Sequence, residues 1–147
     1  MRNIKNKKVK INFYVKKEWQ DQDIIQIKTD AGNISVSSPE LTSLDLLYYL
    51  ESIGLNRTYT ILKELVSVMK ISNLVRTARV YPQAAAMQRL GFILDRELNE
   101  QKLAESLNKA LNERTYFPVP LAISKTKNGE MDSKWKVIKN VNLESDL

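Results

Sequence analysis

A short run of period two, Ile34-Ser35-Val36-Ser37, breaks at Ser38-Pro39-Glu40 into a stretch from Leu41 to Ile53 that is apolar almost all round. No other feature restricts the fold as strongly. The Ser38 hydroxyl can accept from a free N–H of a first helical turn. Pro39 brings a preset φ and no N–H to the first helical position, and Glu40 places negative charge where the helix dipole favours it. At about 100° per residue, Leu41, Leu44, Leu47 and Tyr48 cover one side, and Leu46, Tyr49, Leu50 and Ile53 the opposite one. Only a narrow stripe with Asp45 and Ser52 stays polar. The segment from Pro39 to about Ile53 is therefore expected to be the central helix of the domain, covered on both sides. Asp45 is then either bonded inside the fold or at the edge of a contact surface.

On the N-terminal side, Val9, Ile11, Phe13 and Val15 alternate with Lys10, Asn12, Tyr14 and Lys16, the pattern of a half-buried strand. Ile25 and Ile27 mark a second strand, and Asp30-Ala31-Gly32-Asn33 a reversal into the run at 34–37. On the C-terminal side, Gly54 ends the central helix. Helical periodicity resumes from Leu55 to Met69, from about Ser72 to Arg79, from Pro82 to about Leu98, and from about Glu100 to Asn112. Ala84 and Gly91 on the Pro82–Leu98 helix would let a neighbouring helix approach closely. Period two then returns: Tyr116 to Leu121 is extended, with two prolines suited to an edge. Asn128-Gly129 signals a hairpin turn, and Trp135 to Lys139 reads as the returning strand. The expected class is α+β, with small antiparallel sheet elements at both chain ends flanking a central cluster of four to five helices. No linker or repeat divides the 147 residues, so one domain, 1–147, is expected.

The chain has no cysteine and no histidine. Disulfides, thiolate and histidine metal sites, and catalysis of the Ser-His-Asp or Cys-His kind are thereby excluded. No apolar run is long enough to span a bilayer, and the basic start lacks the apolar core of a signal peptide. A cytoplasmic protein without membrane contact is expected. The net charge of +6 is concentrated at one end: residues 1–17 hold seven Lys or Arg and no acid, and the rest is close to neutral. Residues 1–9 thus read as a basic leading segment, whose Lys5, Lys7 and Lys8, with Lys10, are candidates for phosphate contact.

Asp21-Gln22-Asp23 could pair carboxylates for Mg²⁺, or be a solvated loop; no glycine-rich phosphate loop accompanies it. Arg57, Arg76, Arg79, Arg89 and Arg96 could form a basic helical face, Arg89 and Arg96 being aligned by their spacing of seven. Arg76, Arg79 and Arg89 are the candidate partner surface. Neither a cofactor nor a metal is expected.

Two separated stretches carry a family resemblance. Val36-Ser37-Ser38-Pro39-Glu40-Leu41-Thr42-Ser43-Leu44-Asp45-Leu46-Leu47, with Gly54-Leu55-Asn56-Arg57 and Leu62-Lys63-Glu64-Leu65, resembles the C-terminal domain of AbiEi antitoxins. Gln88 to Leu94, Val119-Pro120-Leu121, Asp132 to Asn140 and Glu144 continue it in the same order. The resemblance implies a non-enzymatic antitoxin domain of a type IV toxin–antitoxin system in bacterial abortive infection and phage defence, counteracting a nucleotidyltransferase toxin without requiring a stable complex. It also implies support for transcriptional autorepression. In that family a winged-helix DNA-binding domain usually comes first; here about ten residues precede the first strand. That domain is expected to be absent, and DNA binding correspondingly weak. The alternative is a sequence-independent nucleic-acid module using the basic edge.

Overall fold

Ser38 caps a helix as its position demanded. Its Oγ accepts from the Leu41 N–H at 3.1 Å, Pro39 opens the helix, and Glu40 lies in the first turn. In this computed structural model residues 2–5, 10–13, 23–30 and 32–145 are described. Helix α1 (Pro39–Tyr48) buries Leu41, Leu44, Leu46 and Leu47. The expected single helix to Ile53 is two pieces: the backbone leaves helical geometry at Tyr49 (φ −97°, ψ 27°) and resumes as α2 (Leu50–Ile53). The Tyr49 N–H still reaches the Asp45 carbonyl at 2.9 Å, so the break costs no hydrogen bond at that residue. Gly54, at φ 92°, takes the left-handed conformation that ends α2.

Helix α3 (Leu55–Leu65) tightens into a 3₁₀ turn at Val66–Val68, and α4 (Ile71–Val80) follows. Helix α5 (Ala84–Phe92) widens into a π turn at Ile93–Glu97. Asn99, at φ 56°, then reverses the chain into α6 (Gln101–Leu111). Helix α1 is central: it packs against α3, α4 and α5, while α6 covers α4 and α5. Leu44, Leu47, Leu62, Leu74, Met87, Leu90, Leu94, Leu107 and Leu111 are fully buried between them.

Strands β1 (Arg2–Lys5) and β2 (Lys10–Phe13) form one antiparallel hairpin, and β3 (Ile24–Thr29) and β4 (Gly32–Ser37) a second. Arg2–Lys5, within the stretch read as a basic leader, is thus itself a strand; Val9 and Val15 lie outside the described residues. At the other end β5 (Val119–Pro120), β6 (Glu130–Asp132) and β7 (Val137–Lys139) form a sheet in the order β5-β7-β6. The class is α+β, with small sheets at both chain ends flanking the helices; among the described residues the two ends share no sheet.

Two details differ from the sequence expectation. The C-terminal sheet is mixed, because β5 pairs in parallel with β7. The hairpin reversal lies at 133–136, where the Lys136 N–H closes on the Asp132 carbonyl at 2.7 Å and Lys136 takes φ 53°. Asp132 explains the shift: its Oδ1 accepts from the N–H groups of Lys134 and Trp135, a side-chain turn that needs no Asn-Gly pair. Gly129 instead permits close approach, since a Cβ there would stand 2.1 Å from the Lys139 carbonyl oxygen. Pro120 sits on the edge strand, where a missing N–H breaks no ladder. Among the described residues no helix is long and apolar enough to cross a membrane.

Candidate functional site

Polar side chains from the two stretches of the resemblance take part in two clusters. The first surrounds the start of α1. The Ser38 N–H donates to the Asp23 carbonyl at 2.6 Å, and the Asp23 carboxylate accepts from Thr77 Oγ1 of α4 at 2.5 Å. Ser37 and Thr42 share a hydrogen bond of 2.7 Å. Glu40, only 1% exposed, uses Oε2 to accept from the Lys70 N–H at the start of α4, 2.7 Å away. That bond supplies the cap that the Lys70 side chain does not provide. The serine, proline and glutamate therefore fix both where α1 begins and where α4 docks on it. Asp23 is spent in this cluster rather than presented to a cation; Asp21 lies outside the described residues, and no metal-binding group of three acids is found among them.

The second cluster clamps α5 to the C-terminal sheet. Gly91 does not admit a helix, as expected, but the Trp135 indole: a Cβ on Gly91 would stand 2.0 Å from Trp135 Cζ3. Trp135 is fully buried and its Nε1 donates to Asp95 Oδ2 at 3.0 Å. Gln88 Nε2 donates to the carbonyls of Phe117 and Trp135, at 2.8 and 3.0 Å. Asn140 holds Ala122 through both its N–H and its carbonyl. Lys134 Nζ pairs with Asp95 at 3.1 Å and also with Glu105, and Arg96 Nε donates to Asp132 Oδ2 at 2.7 Å. Burial pushes the Asp95 carboxyl up, but the hydrogen bonds from Trp135 and Lys134 and the charges of Lys134 and Arg96 outweigh it, leaving it below the usual carboxylate range. Asp45 is bonded inside the fold: Tyr81 Oη donates to its Oδ1 at 2.6 Å, and burial together with this bond raises the Tyr81 phenol above its ordinary value.

The candidate arginines separate. Arg76 and Arg79 are exposed on α4, Arg79 within 3.6 Å of Glu113. Arg89 is not with them: it is 6% exposed and its Nε donates to the Pro120 carbonyl at 2.9 Å. Burial lowers its guanidinium below its ordinary value, with Glu51 opposing. Nor does Arg89 align with Arg96, because the π turn between them advances the chain by less rotation per residue than an α-helix. Of the candidate lysines, Lys5 and Lys10 are paired positions of the β1–β2 register, whereas Lys7 and Lys8 lie outside the described residues. Spacing alone did not single out Gln88 or Asp95 as clamp residues. Gln88 belongs to the resemblance; the signal for Asp95 is a place on the helix that also carries Met87, Leu90, Gly91 and Leu94.

This is a mixed α+β fold whose buried polar side chains join helix to helix around α1 and helix to sheet around α5. A family model, the AbiEi antitoxin C-terminal domain, matches residues 8–96, and the chain belongs to that family. The match takes in the α1 cluster and ends at Arg96, before the C-terminal sheet. Membership supports an antitoxin role in an abortive infection system. No curated protein and no solved structure matches the chain.

Proposed function

We propose that this domain is the antitoxin part of a type IV toxin–antitoxin system used in phage defence, and that it counteracts a nucleotidyltransferase toxin in the cytoplasm without catalysing a reaction. One observation carries this reading: the family match spans 8–96, and within it the polar residues of the resemblance, Ser38, Glu40, Gln88 and Arg89, hold the fold together instead of converging on a cleft. On this reading the domain acts through its outer surface, and the exposure of Arg76 and Arg79 on α4 supports a contact role for them. Support for autorepression belongs to the same reading and would be indirect, through cooperation with a DNA-binding domain. Co-expression with the toxin encoded beside it tests the proposal. Growth should be restored by the folded domain; persistent toxicity at abundant soluble expression refutes it.

A second reading, sequence-independent nucleic-acid contact, is favoured by the register of the first hairpin. Lys5 and Lys10 are directly opposed positions there, and like charges at opposed positions weaken a ladder unless an anion lies between them. Binding of this kind falls steeply as salt rises, because neutralised phosphates release counterions. A mobility-shift titration at low salt that shows no complex removes this reading.

A further inference from the structure

Helices α4 and α6 run side by side in the same sense. Ile71 lies near Gln101 and Lys102 at one end, and Arg79 pairs with Glu113 at the other. Leu74 and Ala78 of α4 and Leu103, Leu107 and Ala110 of α6 are buried on the inner side of this pair. On the outer side a groove of about 400 Å³ remains open, with Ile71 and Val75 on one wall and Lys102, Glu105 and Lys109 on the other. Its neutral polar residues are used up inside the protein: Gln101 Nε2 donates to the Asp95 carbonyl and Ser106 Oγ to the Leu103 carbonyl. Glu105 is engaged by Lys134. What the groove presents is an apolar wall, with Ile71 43% exposed, facing two lysines that make no ion pair among the described residues.

We propose that this groove receives an acidic amphipathic helix of a partner protein. A helix laid into a groove buries its apolar stripe and directs its polar flank at the rim. Here the stripe would cover Ile71 and Val75, and carboxylates of the flank would meet Lys102 and Lys109, whose stems widen the apolar floor. The groove follows about two helical turns, its lining running from Gln101 to Lys109 along α6 and from Ile71 to Val75 along α4. A second copy fits poorly, because a twofold contact on this face would set Lys102 and Lys109 against lysines of the same sign. Nucleic acid fits poorly too, because the floor between the lysines is hydrocarbon where phosphates need donors. The inference goes beyond the antitoxin reading, which requires no stable toxin complex, and identifies the partner by its chemistry alone.

The probe is a labelled synthetic peptide of about four helical turns, Leu at i, i+3, i+4 and i+7 and Glu elsewhere, titrated against the full chain by fluorescence anisotropy. Saturable binding is expected, weakening as salt rises. The double variant Lys102→Glu/Lys109→Glu and, separately, Ile71→Ser should each bind about tenfold more weakly at unchanged thermal stability. Equal binding by both variants, or by a peptide of the same composition without the stripe, overturns the proposal. So does self-association, or binding of duplex DNA, that the lysine variant abolishes.

Discussion

The α5–sheet clamp and the outer face of α4 both carry arginine, to opposite ends. At the clamp, Gln88, Arg89, Asp95 and Trp135 are buried and each is bonded to a defined partner. On α4, Arg76, Arg79, Ile71 and Val80 are exposed. Arginine at the clamp is an internal brace for a carbonyl thirty-one positions away in sequence; the arginines on α4 are exposed, Arg79 meeting the equally exposed Glu113. The contrast teaches that charge on a helix acquires its meaning from what lies across from it, and substitutions on the two sides should differ accordingly.

Trp135→Ala should have the largest effect. It empties a fully buried indole site and strips Asp95 of a donor, a loss of about 3–5 kcal/mol. Chemical denaturation measures it. Gly91→Ala attacks the same contact from the helix side and should cost about 1–3 kcal/mol, since the added methyl forces the indole to move. If Gly91→Ala is neutral, the indole does not rest on α5 as described, and the clamp loses its centre.

Arg89→Ala comes next. The Pro120 carbonyl loses its side-chain donor and a buried space opens, so a loss of about 2–4 kcal/mol is expected by thermal or urea unfolding. A cost near zero would put Arg89 back among the surface arginines and erase the contrast between the two regions.

Much of this fold could be read ahead of the structure, and the misses share one cause. The Ser38 cap, the left-handed Gly54 and the central position of α1 follow from neighbours within a turn of one another, so local sequence decided them. Asp45 also stood as expected once a polar residue on an apolar helix had to find a partner, although the sequence did not name Tyr81. Arg89, Gly91 and the reversal at 133–136 were misjudged because their partners are remote. The Pro120 carbonyl, the Trp135 ring and the Asp132 carboxylate come to them only after the chain has folded back. The π turn after Phe92 is a further example: a pattern with a fixed period cannot show a local change of pitch, and that change is what parts Arg89 from Arg96.

The pH dependence sharpens the comparison from another side. Asp95 has a folded-state pKa below its unfolded value, so its contribution is fully present above the unfolded carboxylate value of about 4 and is lost as pH falls through the folded one. Lys134 works in the reverse direction. Its pKa is raised, chiefly by the hydrogen bond to Glu105 and also by Asp95, so its contribution holds below the unfolded lysine value and fades as pH rises through the folded one. Asp95→Asn should cost about 1–3 kcal/mol at neutral pH and flatten the stability curve below about pH 4. A variant with an unchanged acid limb would mean that the Asp95 charge is not what the clamp depends on.

The smallest effect should come from the other region. Arg76→Ala removes an exposed side chain from α4, and Arg79→Ala breaks a pair with Glu113 in which both side chains are 57% exposed. Exposed pairs contribute little because water and salt screen them and ordering two long side chains costs entropy. Each change should therefore move stability by no more than about 0.5 kcal/mol, while Arg89→Ala, thirteen positions beyond Arg76 in sequence, moves it several times as far. The double variant Arg76→Ala/Arg79→Ala should then unfold at nearly the wild-type temperature and still alter toxin rescue if α4 is where the partner is met. Full rescue by a stably folded double variant would confine the partner's contacts to other surfaces, and a large stability loss would show that these two arginines brace the fold as Arg89 does.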